Sequence, residues 1–325
     1  MPHCRIAALS AAKRWASRAS LPDAPGIGYA RHWRAIGGLS AAHNRFMCNL
    51  YHMSPKDDFE IYVRRHIGKL WLPEVVDDRV GAGRVASPVV IKPTVGPFDT
   101  GFFLRAVVQG GRLGVKGEWG QWGLIRPGAP SRRDMVQPKA VPGKKTPAPR
   151  PRSTNNARAE TVATLPTFRE AWRSGRRCLI PASWYQEPNW ETGRNRWWQL
   201  RRADGLPWML AGLWNEWIDP VTGELVPSYT LLTCNCDDHP LLRRLHRPDP
   251  KLPPQAQDKR AVIHIEPQDW MAWMGGDEAH ARALMHPPPA EFFDLSDAQA
   301  TDALLRERVF ASPDDLPDHL SDDGR

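Results

Sequence analysis

The sequence contains no run of about 18 or more apolar residues, so no membrane-spanning helix is expected. No secretory hydrophobic segment opens the chain, and its cysteines are odd in number: Cys4, Cys48, Cys178, Cys234 and Cys236. Both absences argue against a disulfide framework and make the cytoplasm the expected compartment. There is no internal repeat. A phosphate-binding glycine loop is also missing. Gly81-Ala82-Gly83 and Gly110-Gly111 have neither the following Lys-Ser/Thr nor the strand-to-helix context that such a loop requires. The Cys234-Asn235-Cys236 spacing, even with His239 and His246, is tighter than structural zinc sites use, so neither a metal nor another cofactor is expected. Acidic residues are scarce in two stretches. Residues 1–46 set seven Lys and Arg against Asp23, and residues 127–154 set Arg132, Arg133, Lys139, Lys144, Lys145, Arg150 and Arg152 against Asp134.

What is present is a basic chain of 325 residues with net charge +8, 41% hydrophobic residues and 15 tryptophans. A charge of that sign favours a polyanionic partner, nucleic acid before others. Aromatic rings beside cations suit base stacking in single strands, although most of the tryptophans are expected in the core. Ser54 and Pro55 read as a helix start, with Phe59, Val63, Ile67 and Leu70 on one face. Short strands are expected at residues 87–92, Leu113–Ile125, Arg177–Pro181, Trp197–Leu200, Trp208–Leu213 and Ser228–Cys234. Helices are expected near 166–175, at Asp237–Leu245 and at Pro267–Met274. Many strands with few helices and no βαβ series predict an α+β fold, one domain built on mostly antiparallel strands with flanking helices.

Four segments carry possible chemistry. Cys48 follows Met47 in Met-Cys-Asn-Leu-Tyr. If Cys48 heads the chain, it offers an α-amine with a pKa near 8 and a thiol on one residue, a pair that condenses with aldehydes. Asn156-Ala157-Arg158-Ala159-Glu160-Thr161 suits orienting and phosphate-holding roles. In the Arg177–Glu187 segment, Glu187 ends an apolar strand among Trp184, Tyr185 and Trp190, where a carboxyl pKa should rise and support acid–base work. His246 sits among Arg243, Arg244 and Arg247, a titratable group amid phosphate-binding candidates.

In this order the four segments resemble the SRAP family, the SOS response-associated peptidases. Met47–Tyr51 is similar to one branch's opening, Asn156–Thr161 to the Asn-Ala-Arg-x-Glu-Thr motif, and Arg177–Glu187 to the Arg-Cys-Leu-Ile-Pro-Ala segment with its catalytic Glu. The resemblance spans roughly residues 47–275. It implies a DNA-repair protein that captures abasic sites in single-stranded DNA as a thiazolidine crosslink, with autoproteolytic exposure of the N-terminal cysteine. By the same resemblance Cys48, Asn156, Glu187 and His246 are the catalytic residues, and Arg158 holds a phosphate. His239 stands as the alternative histidine, because the common His-x-Arg-x-Pro pattern is here His246-Arg247-Pro248. Leu50 and Pro188 also depart from the common Arg and Trp. The expected DNA contacts further include Arg243, Arg244, Arg247, Trp122, Lys144 and Lys145.

The organisation expected from this reading has three parts. Residues 1–46 are a removable leader or precede a true start at Met47, residues 47–290 form the catalytic domain with a basic mobile loop at 127–154, and residues 291–325 are an acidic disordered tail. The protein is expected to be a monomer that binds abasic single-stranded DNA, makes no membrane contact and gathers at the nucleoid under DNA damage. Two rival functions fit the same residues: a cysteine peptidase acting on other proteins, and a non-covalent single-strand binder using loops and tryptophans.

Overall fold

The computed structural model describes residues 48–67, 70–71, 92–109, 111–140, 142–143 and 145–310. Expectations for residues 1–46, for the tail beyond 310, for Lys144 and for most of the strand at 87–92 lie outside them.

In chain order the strands are β1 (Tyr51–Met53), β2 (Leu70–Trp71), β3 (Thr94–Val95), β4 (Thr100–Gln109), β5 (Arg112–Trp122), β6 (Met135–Val136), β7 (Arg150–Pro151), β8 (Asn156–Arg158), β9 (Arg177–Asn189), β10 (Arg196–Leu200), β11 (Trp208–Ile218), β12 (Leu225–Asn235) and β13 (Arg260–Val262). The helices are α1 (Lys56–His66), α2 (Arg169–Arg173), α3 (Trp270–Gly275), α4 (Glu278–Ala283) and α5 (Ser296–Phe310). Five strands close on themselves. β4 pairs with β5 and β9, β9 with β11, β11 with β12, and β12 returns in parallel to β5. Closure leaves these long strands without a free edge, and the expected α+β, mostly antiparallel domain is what forms.

β9 is the organising strand. Its first half, Arg177–Ala182, lies against β11, and Leu179 and Cys178 also face β4. Its second half changes partners to β1 and β10, with Tyr185 opposite Tyr51 and Glu187 opposite Trp198. The change falls at Pro181-Ala182, where proline has no N–H to give a ladder and β1 carries a bulge between His52 and Met53. Thus the hydrogen-bond demand of a long strand is met by two different sets of neighbours, and its far end leaves the closed sheet to meet β1.

The interior is aromatic. Trp122, Trp172, Trp198, Trp208, Trp270 and Trp273 are fully buried, and most find an oxygen for the indole N–H, as Trp208 does on Leu200 O and Trp273 on Cys178 O. Gly101 on β4 is required by packing: a side chain there would collide with the hydroxyls of Tyr51 and Tyr229, which hydrogen-bond each other in the core.

Several local expectations change. Ser54 is buried and gives α1 no side-chain cap; Pro55 occupies that position. Phe59 and Val63 do face inward, joined by Tyr62. Asp237–Leu245 forms only a short 3-10 turn, Leu242–Arg244, because Pro240 interrupts the helical pattern and the segment is tied across to β9. The basic loop is partly built: β6 pairs with β7, and Arg126 and Arg152 both bond Asp134. Residues 291–310, expected in a disordered tail, hold helical structure. α5 runs to Phe310, with Thr301 fully buried and accepting from Trp198 Nε1. A buried indole N–H needs such a partner, and sequence composition alone does not reveal it.

Candidate active site around Cys48

Cys48 lies just before β1 and has no exposed surface. Two asparagines hold its carbonyl: Asn156 Nδ2 donates at 2.7 Å and Asn155 Nδ2 at 3.4 Å. Asn155 also bonds Asn49 Oδ1 at 3.0 Å. Both asparagines arrive on or beside β8, which runs parallel to β12. The backbone of this short strand is therefore fixed by the closed sheet, and its side chains fix Cys48. Sequence reasoning named Asn156 but missed Asn155, whose signal was only its place beside it.

Glu187 comes from the far half of β9 and is 2% exposed. Burial drives its carboxyl well above the ordinary glutamate range, and a hydrogen bond from the Cys48 backbone works in the opposite direction. One of its oxygens, Oε2, has no hydrogen-bond partner among the described residues. Burial, followed by the nearby Glu187 charge, pushes the Cys48 thiol up as well, so in this form the sulfur is held as a neutral thiol. Tyr185, two residues earlier on the same strand face, is also buried, and its hydroxyl and Asn156 Oδ1 lack partners among the described residues.

His246 completes the group, with Nδ1 3.8 Å from Glu187 Oε2. Three ties put it there. Its N–H donates to Pro188 O at 2.6 Å, Asn189 Nδ2 donates to Arg244 O, and the buried Lys259 ammonium donates to both Leu245 O and His246 O at 2.6 Å. Its ring Nε2 is 2.9 Å from Arg260 O, and its backbone sits at φ 61°, a region non-glycine residues seldom occupy. His239 is used otherwise. Its Nδ1 accepts from the N–H groups of Leu241 and Leu242, and Nε2 meets Pro288 O, so this ring caps the 3-10 turn. Lys259 had no sequence signal, since lysine is ordinarily a surface residue.

The expected DNA contacts scatter. Trp122 is a correction: it is fully buried, with Nε1 on Asn155 O at 2.8 Å, because β5 turns it into the barrel, and it offers no face for stacking. Arg244 is another. Its guanidinium is committed to Glu191 and Asp302 and lies over Trp198. Arg158 pairs with Asp258 at 2.9 Å and remains one-third exposed. Arg247 lies over Trp190 at 5.0 Å, and Arg243 and Lys145 are exposed. Beside the site, His52 stacks on Trp184 with centroids 5.2 Å apart, and Arg201 covers the same indole. Among the described residues, no group of three or more His, Cys, Asp or Glu could hold a metal ion, and no helix is long and apolar enough to cross a membrane.

A thiol, its own backbone nitrogen, a neutral-leaning carboxyl and an imidazole thus meet in one buried polar cluster. Such a set can move protons to and from a nitrogen while sulfur acts as nucleophile. The family model described as SOS response associated peptidase (SRAP) matches residues 102–300, a stretch that contains Asn156, Glu187 and His246 and begins after Cys48. A solved structure from Bordetella bronchiseptica is similar at 28% identity and TM-score 0.54, covering 76% of this chain and 97% of its own. Another, from Bacteroides thetaiotaomicron, shares the fold at 19% identity and TM-score 0.52, covering 76% and 90%. Among proteins with curated descriptions, none matches the sequence significantly. With the match spanning more than half of its length, the chain belongs to the SOS response associated peptidase (SRAP) family.

Proposed function

We propose that this protein captures abasic sites in single-stranded DNA through Cys48, once that residue heads the chain. The observation that carries the reading is the convergence of the Cys48 backbone nitrogen and thiol with the Glu187 carboxyl and the His246 ring. While residues 1–47 are attached, that nitrogen is an amide and cannot form an imine. It becomes an amine either by translation from Met47 with removal of the methionine, or by cleavage before Cys48. In the second route Cys48 Sγ attacks the Met47 carbonyl, the Cys48 nitrogen leaves with a proton from Glu187, and water hydrolyses the resulting thioester.

With the amine free, the ring-opened sugar offers an aldehyde. The neutral amine adds to it, giving a carbinolamine. Glu187, kept protonated by burial, gives its proton to the departing hydroxyl, which leaves as water and yields an imine. The thiol then adds across C=N: sulfur bonds to carbon, the nitrogen gains a proton, and Glu187 with His246 relays it. The net change is aldehyde plus aminothiol giving thiazolidine plus water. Asn156 and Asn155 keep the Cys48 carbonyl still while this happens, a positioning role.

Intact-mass measurement tests this. Protein beginning at Cys48, mixed with abasic single-stranded DNA, is expected to gain the oligonucleotide mass less one water and to keep it through denaturation. Cys48→Ala is expected to give none. If the Cys48-headed protein forms no such species, the reading fails; if Cys48→Ala binds the DNA as the parent does and neither crosslinks, the protein is a non-covalent binder.

A further inference from the structure

One concavity remains unused by this chemistry. It is small, about 10 Å³, close to the space of a single water, and is lined by Phe98, Leu124, Ile125, Thr154, Asp134 and three arginines, Arg126, Arg132 and Arg152. Each guanidinium is anchored through Nε: Arg126 and Arg152 on Asp134 Oδ2 at 2.8 and 2.9 Å, and Arg132 on Gln121 Oε1 at 3.0 Å. Anchoring through Nε fixes the plane of each fork while using one of its five N–H donors. A fourth cation, Arg133, lies 5.4 Å over the Phe98 ring. Asp134 is the single carboxylate in the lining, and its hydrogen bond from Arg126 holds it ionised below the usual range. Three guanidiniums against one carboxylate leave a surplus of positive charge, on forks whose direction is already set. That is the arrangement that recognises phosphate, where a planar pair of N–H groups meets two oxygens.

The place of this concavity matters as much as its charge. Thr154 lines it, Asn155 follows, and Asn155 Nδ2 reaches Cys48 O and Asn49 Oδ1. Leu124 N–H donates to Thr154 O at 3.1 Å, so the wall of the concavity and the strand bearing Asn156 are one continuous piece of backbone. Thr154 and Asn156 are two residues apart, roughly 7 Å of extended chain.

The geometry points to a phosphodiester subsite formed by Arg126, Arg132 and Arg152, which grips the backbone of the same DNA strand a short step from the sugar at Cys48. This rests on the abasic-site reading for the identity of the ligand and adds to it a defined anchor. The β6–β7 ribbon would then serve as the frame that holds the arginines, in place of a freely moving basic arm. An anchor of this kind aligns the strand before reaction and makes binding depend on salt, because each phosphate neutralised releases condensed counterions.

Equilibrium binding of the full chain to labelled, undamaged single-stranded DNA, followed across sodium chloride concentrations, tests the subsite without covalent capture. Arg132→Gln and Arg152→Gln are each expected to lower the slope of log K against log salt by about 0.7, the amount for one single-strand phosphate contact. Arg173→Gln, at an exposed position of α2 outside the concavity, is expected to leave the slope unchanged. Thermal unfolding of each variant reports whether the fold is kept; if Arg152→Gln loosens the ribbon, Arg132→Gln, which leaves both Asp134 bonds intact, decides. Wild-type slopes in both arginine variants would overturn the subsite. A parent chain that binds no DNA would overturn it as well. The two readings fail separately: reduced slopes with no crosslink in the Cys48-headed protein would sink the abasic-site reading alone, and a crosslink with unchanged slopes would sink the subsite alone.

Discussion

The two ends of β9 each bury an ionisable side chain, and they treat it oppositely. At the start, Arg177 is 3% exposed and donates through Nε to Trp273 O at 2.5 Å and through Nη2 to Gly276 O. At the far end, Glu187 is 2% exposed and keeps an oxygen without a hydrogen-bond partner among the described residues. A buried charge whose hydrogen bonds are met ties elements together; here Arg177 joins β9 to α3 and the turn behind it. A buried carboxyl left short of partners is pushed toward its neutral form and held there by everything around it, which is how titratable groups are tuned for chemistry. One strand therefore carries a partnered ion and a buried carboxyl held toward neutrality, about ten residues apart.

Substitutions at both ends can break this contrast. The largest effect is expected from Glu187→Gln in the Cys48-headed protein: crosslinking to abasic DNA slows by about 10²- to 10⁴-fold, the usual worth of one acid–base group, with the unfolding midpoint unchanged or raised. A rate near the parent's would mean the carboxyl takes no part in the proton transfers. Next, Arg177→Met should lower unfolding free energy by about 3 kcal/mol, since two carbonyls lose their donor, and it should leave the chemistry of folded protein intact. Denaturant titration measures this, and a loss under about 1 kcal/mol would remove the distinction.

A smaller effect sharpens the comparison through pH. Burial raises the Glu187 pKa in the folded chain. The folded state therefore holds a proton that the unfolded state releases above about pH 4.3, and this group's contribution to stability falls as pH rises, by up to about 1.4 kcal/mol per unit. Glu187→Gln should remove that decline, so the variant gains on the parent as pH climbs; parallel curves would refute the assignment. The smallest effect concerns His264, buried against Trp208 and Tyr185 with neither ring nitrogen partnered among the described residues. Burial, then the Arg202 charge, lowers its pKa well below the ordinary value. The unfolded chain takes up a proton near pH 6.5 that the folded chain refuses, so this contribution is present above that pH and lost below it. His264→Phe should flatten the loss of stability on going from neutral to mildly acidic buffer.

Much of the site was legible because its residues sit in compact local patterns. Cys48, Asn156, Glu187 and His246 were each named from short segments, and the structure brings them together. What was illegible depended on partners distant in sequence. Arg244 reads as a free cation until Glu191 and Asp302 meet it, and Trp122 reads as a stacking surface until β5 turns it inward. Residues 296–310 read as tail because their helix is held partly by Thr301 under Trp198, a contact 103 residues away. Lys259 carried no signal at all, since its role exists only where two carbonyls converge on it.

The sequence by itself determined the groups on offer: a cysteine directly after Met47, and a strand whose two-residue period puts Tyr185 and Glu187 on one face. The tertiary structure alone decided how those groups behave. It put His246 and not His239 beside the Glu187 carboxyl, lifted that carboxyl toward neutrality and seated the arginines beside Thr154. The physical reason is that desolvation and hydrogen-bond satisfaction belong to the packed surroundings, and those surroundings are assembled from segments that the chain order keeps far apart.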